Sequence, residues 1–184
     1  MANIFIFHGT GGFPEENWFP WMKRELEKHS HKVIVPQFPT PENQTPENWL
    51  EVLSQYKDKI DKDTLMIGHS LGGLFLVKVL EQLKKPIKAA VFVATPIGIP
   101  PVVNWAGDAP FLTESFEWKK IKQNAGIFIV YHSDNDPYVG LENGMQLAKN
   151  LGAELTFVSN AGHFNTKAGY LKFEKLRDKV LEIV

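Results

Sequence analysis

Cysteine is absent from the 184 residues of this chain. Its absence excludes disulfide bonds, metal sites with thiolate ligands and a cysteine nucleophile. A chain without cysteine also fits an intracellular protein, and we expect a cytoplasmic location. The N-terminus shows no charged segment followed by an apolar one, so no secretory signal is expected.

The sequence also has no large excess of charge of one sign and no long apolar run. The 20 basic and 21 acidic residues leave a formal net charge of −1, which gives no support for binding to nucleic acid or to a membrane surface. No apolar stretch reaches the roughly 18 residues that a membrane-spanning helix needs. The composition, with 43% hydrophobic residues, is typical of a soluble globular protein. The length favours one domain over residues 1–184.

Short apolar runs alternate with amphipathic helical patterns along the chain. Runs without polar alternation are typical of strands that are buried on both faces. Six such runs occur, at 4–7, 33–35, 65–67, 89–94, 127–131 and 155–158. Helices between them predict right-handed crossovers. The sequence therefore predicts an α/β fold, a three-layer α/β/α sandwich around a parallel sheet of about six strands without a large cap domain.

Residues 95–118 break this alternation, since they are rich in proline and aromatic side chains and have no clear period. Two interpretations stay open for them: a long loop over the edge of the sheet, or a small lid or wall over a functional site. Trp18, Trp105 and Phe111 are candidates for lining an apolar substrate pocket. Aromatic side chains in a chain of this length are, however, more often part of the core.

Residues 68–73, Gly-His-Ser-Leu-Gly-Gly, lie between a predicted strand and a helical pattern. A serine with a glycine two positions before it and two positions after it, in this setting, indicates a nucleophile elbow. Gly68 and Gly72 let the backbone pass close to itself on either side of Ser70. The N-terminus of the following helix would place N–H groups beside Ser70, where they stabilise a developing negative charge.

A serine hydroxyl is a weak nucleophile until a base removes its proton and a third group orients that base. His163 lies in the loop after the last predicted strand, where a doubly wound sheet brings residues to the carboxyl ends of its strands. His132, at the end of the strand predicted at 127–131, is a weaker candidate. We expect His163 to be the base and His69, next to Ser70, to serve in packing.

Two carboxylates compete for the orienting role in the loop after the strand at 127–131, and Asp108 is a more distant candidate. Pro137 disfavours helical dihedral angles at Asp136 and thereby fixes its direction at the strand end. Asp134 occupies a position where side chains often cap a turn. We therefore expect Asp136 to be the acid, which gives the chain order Ser, Asp, His of the α/β-hydrolases.

A tetrahedral intermediate formed at this serine needs two backbone donors for its oxyanion. The N–H of Leu71, directly after the nucleophile, is one candidate. The other is expected from residues 8–12, His-Gly-Thr-Gly-Gly, with Thr10 as the donor. A glycine-rich loop here could also bind phosphate, but it lacks the G-x-G-x-x-G spacing and a P-loop lysine-serine pair. We expect no cofactor and no metal.

The chain resembles the small, nearly lidless α/β-hydrolases of the retinoblastoma-binding protein nine type. The resemblance covers most of the chain, and it is carried by the glycine-rich loop, Trp18 and Trp21, residues 116–122, Asp-Pro-Tyr-Val at 136–139 and Gly-His-Phe at 162–164. It implies a triad of Ser70, Asp136 and His163. The family takes its name from binding the retinoblastoma protein through a Leu-x-Cys-x-Glu motif. A chain without cysteine cannot carry that motif, so this partner is not implied.

These patterns together predict a serine hydrolase that acts through an acyl-enzyme on a small-molecule acyl substrate. Carboxylic esters are the expected substrates, with thioesters and amides as further candidates, and an open site would favour short acyl groups. Two alternatives stay open: an acyltransferase that uses the same triad, and a catalytically silent protein-binding module on a hydrolase scaffold.

Overall fold

The structure of the protein is a computed structural model that describes residues 1–103, 105–112 and 115–184, with only the backbone of Trp105. Its strands are β1 (Asn3–Phe7), β2 (Lys32–Ile34), β3 (Leu65–His69), β4 (Ile87–Val93), β5 (Ala125–His132) and β6 (Leu155–Phe157). Its α-helices are α1 (Phe19–Glu27), α2 (Pro46–Ser54), α3 (Leu71–Gln82), α4 (Trp105–Asp108), α5 (Trp118–Gln123), α6 (Leu141–Leu151) and α7 (Glu174–Ile183).

The strands form one parallel sheet in the order β2-β1-β3-β4-β5-β6. This arrangement confirms the predicted six-stranded parallel sheet, and the bounds differ from the predicted ones by up to two residues. The strand order reverses at β1, because the chain first moves outward to β2 and then crosses to β3 on the other side. Ligands of open α/β sheets bind beyond the carboxyl ends of the strands at such a reversal.

Helices cover both faces of the sheet, as the alternation of side chains along β1 illustrates. Ile4 and Ile6 belong to an apolar cluster that includes buried residues of α1 and α7. Phe5 and Phe7, on the opposite face, belong to a second cluster with buried residues of α2, α3, α5 and α6. Successive side chains of a strand point to opposite faces, so β1 is apolar on both faces from Ile4 to Phe7. The predicted α/β/α sandwich is confirmed.

The segment between β4 and α5 contains more structure than a long loop. It includes α4 and a 3-10 turn at Ala109–Phe111. Phe111 is buried, and its ring lies 5.0 Å from that of Trp49 in α2. Val102 forms an antiparallel bridge with Val139 in the loop after β5. These contacts fasten the segment to the body of the protein beside the carboxyl ends of the strands.

Among the residues that the structure describes, no helix has the length and apolar character to cross a membrane.

Candidate active site

Ser70 lies between β3 and α3 in a strained backbone conformation. Its φ of 54° and ψ of −126° fall in a region that residues other than glycine rarely occupy. Such a conformation costs about 1–3 kcal/mol and persists only where the surroundings enforce it. Here the Ser70 N–H donates to the Val93 carbonyl at 2.9 Å, and the Gly73 N–H donates to the Ser70 carbonyl at 2.9 Å. The predicted elbow is therefore present.

Two glycines allow the close approaches that the elbow requires. A Cβ atom at Gly68 would lie 2.4 Å from the Gly73 Cα, and one at Gly72 would lie 2.3 Å from the carbonyl oxygen of Phe7. Both distances are shorter than any van der Waals contact, and both involve backbone atoms that cannot rotate away. Larger residues at 68 and 72 would push α3 from β3 and β1, as the sequence pattern predicted.

His163 and Asp136 form a short polar contact at the site. His163 Nδ1 lies 2.7 Å from Asp136 Oδ2, and the Asp136 side chain is fully buried. The other carboxylate oxygen, Oδ1, accepts from the backbone N–H of Tyr138 at 2.9 Å and of Val139 at 3.1 Å. A carboxylate held in this way accepts a proton-bearing Nδ1, which leaves Nε2 of His163 as the basic nitrogen.

Ser70 and His163 line the same cavity, together with Gly9 and Thr10 of the first loop. Within the described part of the chain, no hydrogen bond joins the Ser70 hydroxyl to His163. Hydrogen bonds between nucleophile and base are often long without substrate and tighten when it binds. The cavity therefore brings together the serine, the histidine and the loop that the sequence predicted for one site.

The backbone N–H groups of Thr10 and Leu71 have no hydrogen-bond acceptor among the described residues. Leu71 is the first residue of α3, where an N–H has no partner within the helix. Thr10 lies in the turn after β1, and this turn is closed by a hydrogen bond from the Gly12 N–H to the Gly9 carbonyl at 3.1 Å. Thr10 lines the cavity beside Ser70, whereas Leu71 is buried and is not among the lining residues.

The family model described as serine hydrolase matches residues 4–182 of the chain. The protein belongs to this serine hydrolase family. Its curated relatives include the hydrolase YdeN of Bacillus subtilis (strain 168), which is 28% identical over 169 residues, or 91% of this chain and 88% of YdeN. Serine hydrolase RBBP9 of Rattus norvegicus is 24% identical over 169 residues, or 89% of this chain and 86% of RBBP9. The family predicted from the sequence is confirmed.

Solved structures of other hydrolases share the fold of this serine hydrolase. The crystal structure of the ydeN gene product from B. subtilis matches with a TM-score of 0.93 at 25% identity, over 100% of this chain and 98% of that one. Est1E from Butyrivibrio proteoclasticus, with ferulic acid bound, matches with a TM-score of 0.76 at 16% identity, over 100% of this chain and 89% of that one. The second likeness concerns the fold alone.

Of the alternative candidates for base and acid in this serine hydrolase, Asp108 lines the cavity, where its Oδ1 accepts from the Thr10 hydroxyl, whereas His132 and Asp134 lie elsewhere. His132 is buried below the loop after β5, where its Nε2–H donates to the Val139 carbonyl at 3.0 Å and burial lowers its pKa. Asp134 is exposed, and it accepts from the Asn160 N–H at 2.8 Å, which lowers its pKa. Both residues shape the loops that carry Asp136 and His163. Neither of them lines the cavity.

The prediction of an aromatic substrate pocket is wrong for two of its three residues. Trp18 is fully buried, and its Nε1–H donates to the Phe164 carbonyl at 3.0 Å, next to His163. Phe111 is buried in the core against Trp49 and Phe75. Tertiary packing decides whether an aromatic side chain is buried in the core or lines a cavity. The side chain of Trp105 lies outside the described residues.

The cavity beside Ser70 has a volume of about 480 Å³ and a mostly polar wall. Polar lining residues that sequence reasoning did not select include Glu16, Asn17, Asn165 and Lys167. Burial raises the pKa of Glu16 to about 7. Apolar surface comes from the half-exposed side chains of Phe13 and Val103, together with Val139 and the ring of Tyr138. No motif marks these positions, because the walls come from loops that are distant in sequence.

Proposed function

We propose that this serine hydrolase cleaves carboxylic esters of small acids through a covalent acyl-enzyme. Ser70 is the nucleophile, His163 the general base and Asp136 the residue that orients the base. The observation that carries the proposal is the buried contact of 2.7 Å between His163 Nδ1 and Asp136 Oδ2 at a cavity that also exposes the strained Ser70. Such a pair keeps Nε2 of His163 available for the serine proton.

In the first half of the reaction, His163 Nε2 takes the proton of the Ser70 hydroxyl while Oγ bonds to the acyl carbon. The carbonyl oxygen becomes an oxyanion, which the free N–H groups of Thr10 and Leu71 stabilise at the N-terminus of α3. Collapse of this intermediate breaks the ester bond. The alcohol then leaves with the proton that His163 carries.

In the second half, water attacks the acyl carbon of the acyl-enzyme, and His163 accepts its proton. A second oxyanion forms at the same two donors, and its collapse returns the proton to Ser70 Oγ and releases the acid. Buried Asp136 stabilises the imidazolium of His163 in both halves. The esterase Est1E, which shares this fold, is known with a carboxylic acid, ferulic acid, bound. This likeness supports esters as the substrate class.

The polar wall of the cavity supports short acyl groups. Among the described lining residues, a long acyl chain would find apolar surface mainly on the half-exposed Phe13 and Val103, the buried Val139 and the ring of Tyr138. Burying a chain against polar groups without hydrogen-bond partners is unfavourable. We therefore propose acetyl and similar short acyl esters as the first substrates to assay.

Hydrolysis of p-nitrophenyl acetate by wild type and Ser70→Ala tests this function. Loss of the nucleophile should lower kcat/KM at least about 10³-fold, because residual catalysis then comes from binding and the oxyanion donors alone. Ser54→Ala, an exposed serine at the end of α2, is the matched control and should retain the wild-type rate. Equal rates for wild type and Ser70→Ala would contradict the proposal and favour the silent binding module.

A further inference from the structure

A carboxylate from a distant part of the chain holds the hydroxyl of Thr10. The Thr10 hydroxyl donates to Asp108 Oδ1 at 2.6 Å, across 98 positions of sequence. Asp108 ends α4, is 4% exposed, and lines the cavity beside Ser70. The contact therefore joins the segment between β4 and α5 to the loop after β1, at the residue whose N–H we assign to the oxyanion.

Gln44 also contributes hydrogen bonds that hold this loop. Its Nε2 group donates to the Gly107 carbonyl at 2.8 Å and to Asp108 Oδ1 at 3.3 Å. Its Oε1 accepts from the hydroxyl of Thr40, and that hydroxyl in turn accepts from the Gly11 N–H at 2.6 Å. A network of side chains thus fixes the loop on both sides of the peptide that follows Thr10.

The position of Asp108 is itself determined by the core. Phe111, three residues later, packs against Trp49 and Phe75. The 3-10 turn at Ala109–Phe111 begins directly after Asp108. The acceptor of the Thr10 hydroxyl is thus connected to a core residue within three positions.

Placing a carboxyl group in this position has a cost. Burial raises the pKa of Asp108, while the hydrogen bonds from Thr10 and Gln44 oppose that rise. Buried polar groups are tolerated where hydrogen bonds compensate their desolvation. For stability alone, an apolar pair at these two positions would pack as well. A buried carboxylate that accepts from one hydroxyl is better explained by a need to hold that hydroxyl, and the loop that carries it, in a defined position.

We infer that Asp108 is a positioning residue that sets the Thr10 N–H in the oxyanion hole through the Thr10 hydroxyl. The inference rests on the proposed function. Oxyanion donors act only when they lie within about 2.7–3.1 Å of the oxygen in the transition state. Release of the Thr10 hydroxyl would let the loop shift out of that range, which slows the chemical step more than it weakens binding of the ester.

Kinetics of p-nitrophenyl acetate hydrolysis test this, with rates normalised to the serines that a fluorophosphonate titrates. Thr10→Val and Asp108→Ala should each lower kcat about 10- to 100-fold with KM changed less than threefold, since a donor is misplaced but not removed. Thr10→Ser and Asp108→Asn keep the hydroxyl and the acceptor, and should stay within about fivefold of wild type. Asp58→Ala, an exposed site, is the control.

The double variant of Thr10→Val with Asp108→Ala gives the decisive comparison. If both residues act through one hydrogen bond, its kcat should equal that of the slower single variant within a factor of about three. The inference would be overturned if the loss of kcat in the double variant were the product of the two single losses. It would also be overturned if Asp108→Ala had the wild-type kcat per titrated serine. Either result would leave Ser70-dependent hydrolysis unaffected. Hydrolysis that does not depend on Ser70 would overturn both the inference and the proposed function.

Discussion

His69 and His163 lie with their ring centres 4.9 Å apart, and the Nε2–H of His69 donates to the His163 carbonyl at 2.8 Å. Burial, together with the nearby His163, lowers the pKa of His69 to about 3. His69 is therefore neutral at the pH values where enzymes of this kind work. A neutral ring can support the backbone of His163 without a charge that would oppose its protonation during the reaction.

The lowered pKa of His69 predicts how stability changes with pH. Between about pH 6.5 and pH 3 the unfolded chain binds a proton at His69 that the folded chain does not, so unfolding becomes easier as pH falls. His69→Gln keeps a donor but does not titrate. The free energy of unfolding of wild type minus that of the variant should decrease by up to about 1.4 kcal/mol for each unit by which the pH is lowered in this window. Urea unfolding measures it, and a difference independent of pH would refute the assignment.

At the same scale, Asp136→Asn tests the orienting role of the acid. An asparagine can turn its NH₂ group toward His163 Nδ1 and so stabilise the wrong tautomer, with the proton on Nε2. We expect kcat for p-nitrophenyl acetate to fall about 10³- to 10⁴-fold. Asp134→Asn, the other carboxylate of the same loop, should keep wild-type activity. A large loss of kcat in Asp134→Asn, with wild-type activity in Asp136→Asn, would identify Asp134 as the acid.

At the scale of elements, Asn143 joins the N-terminus of α6 to the segment after β4. Its Oδ1 accepts from the N–H groups of Ile97 at 2.9 Å and Ile99 at 3.1 Å. Its Nδ2 donates to the carbonyls of Ile99 at 2.7 Å and Gly140 at 3.2 Å. One buried amide thereby satisfies four backbone groups of two loops that border the cavity.

Replacement of Asn143 by leucine should destabilise the fold without touching the chemistry. The N–H groups of Ile97 and Ile99 and the Ile99 carbonyl would lose their partner, whereas the Gly140 carbonyl keeps the backbone N–H of residue 143 at 3.0 Å. Each buried group left unpaired costs about 1–3 kcal/mol. We expect a loss of at least about 3 kcal/mol in the free energy of unfolding, measured with urea. Met145→Ala, at an exposed position of the same helix, should lie within about 0.5 kcal/mol of wild type. A loss below 1 kcal/mol for Asn143→Leu would contradict this account.

Elements with a local signal could be predicted from the sequence. Continuous apolar runs marked the strands of the sheet, and the glycines on either side of Ser70 marked the turn. Pro137 favoured Asp136 as the acid, and the carboxylate does contact His163. Each of these features is determined within a few residues, because periodicity, glycine and proline act on the nearby backbone.

Features that depend on tertiary packing could not be predicted in this way. Thr10 and Asp108 are 98 positions apart, and nothing local to either indicates their contact. Trp18 looked like a candidate for the substrate pocket, yet it is buried behind the loop of His163. Glu16 received no role, although it lines the cavity. The sequence around an aromatic or acidic residue does not indicate whether its side chain lines a cavity, is buried in the core or is exposed in a loop.

For the molecule as a whole, the sheet order explains why the site forms where it does. Ser70 follows β3, the loop of Thr10 follows β1, and Asp136 and His163 follow β5 and β6. All four loops leave the carboxyl ends of parallel strands, so they meet at one edge of the sheet. Residues far apart in sequence, such as Ser70 and His163, reach the same cavity without a separate cap domain.

The central claim is that Ser70 is the nucleophile of this fold, and covalent labelling tests it most directly. The protein is treated with a fluorophosphonate, which reacts with activated serines, and the modified peptide is located by mass spectrometry. We expect one adduct per chain, on the peptide that contains Ser70, and none in Ser70→Ala or, within the same time, in His163→Ala. An unlabelled wild-type protein, or an adduct on another residue, would contradict the account.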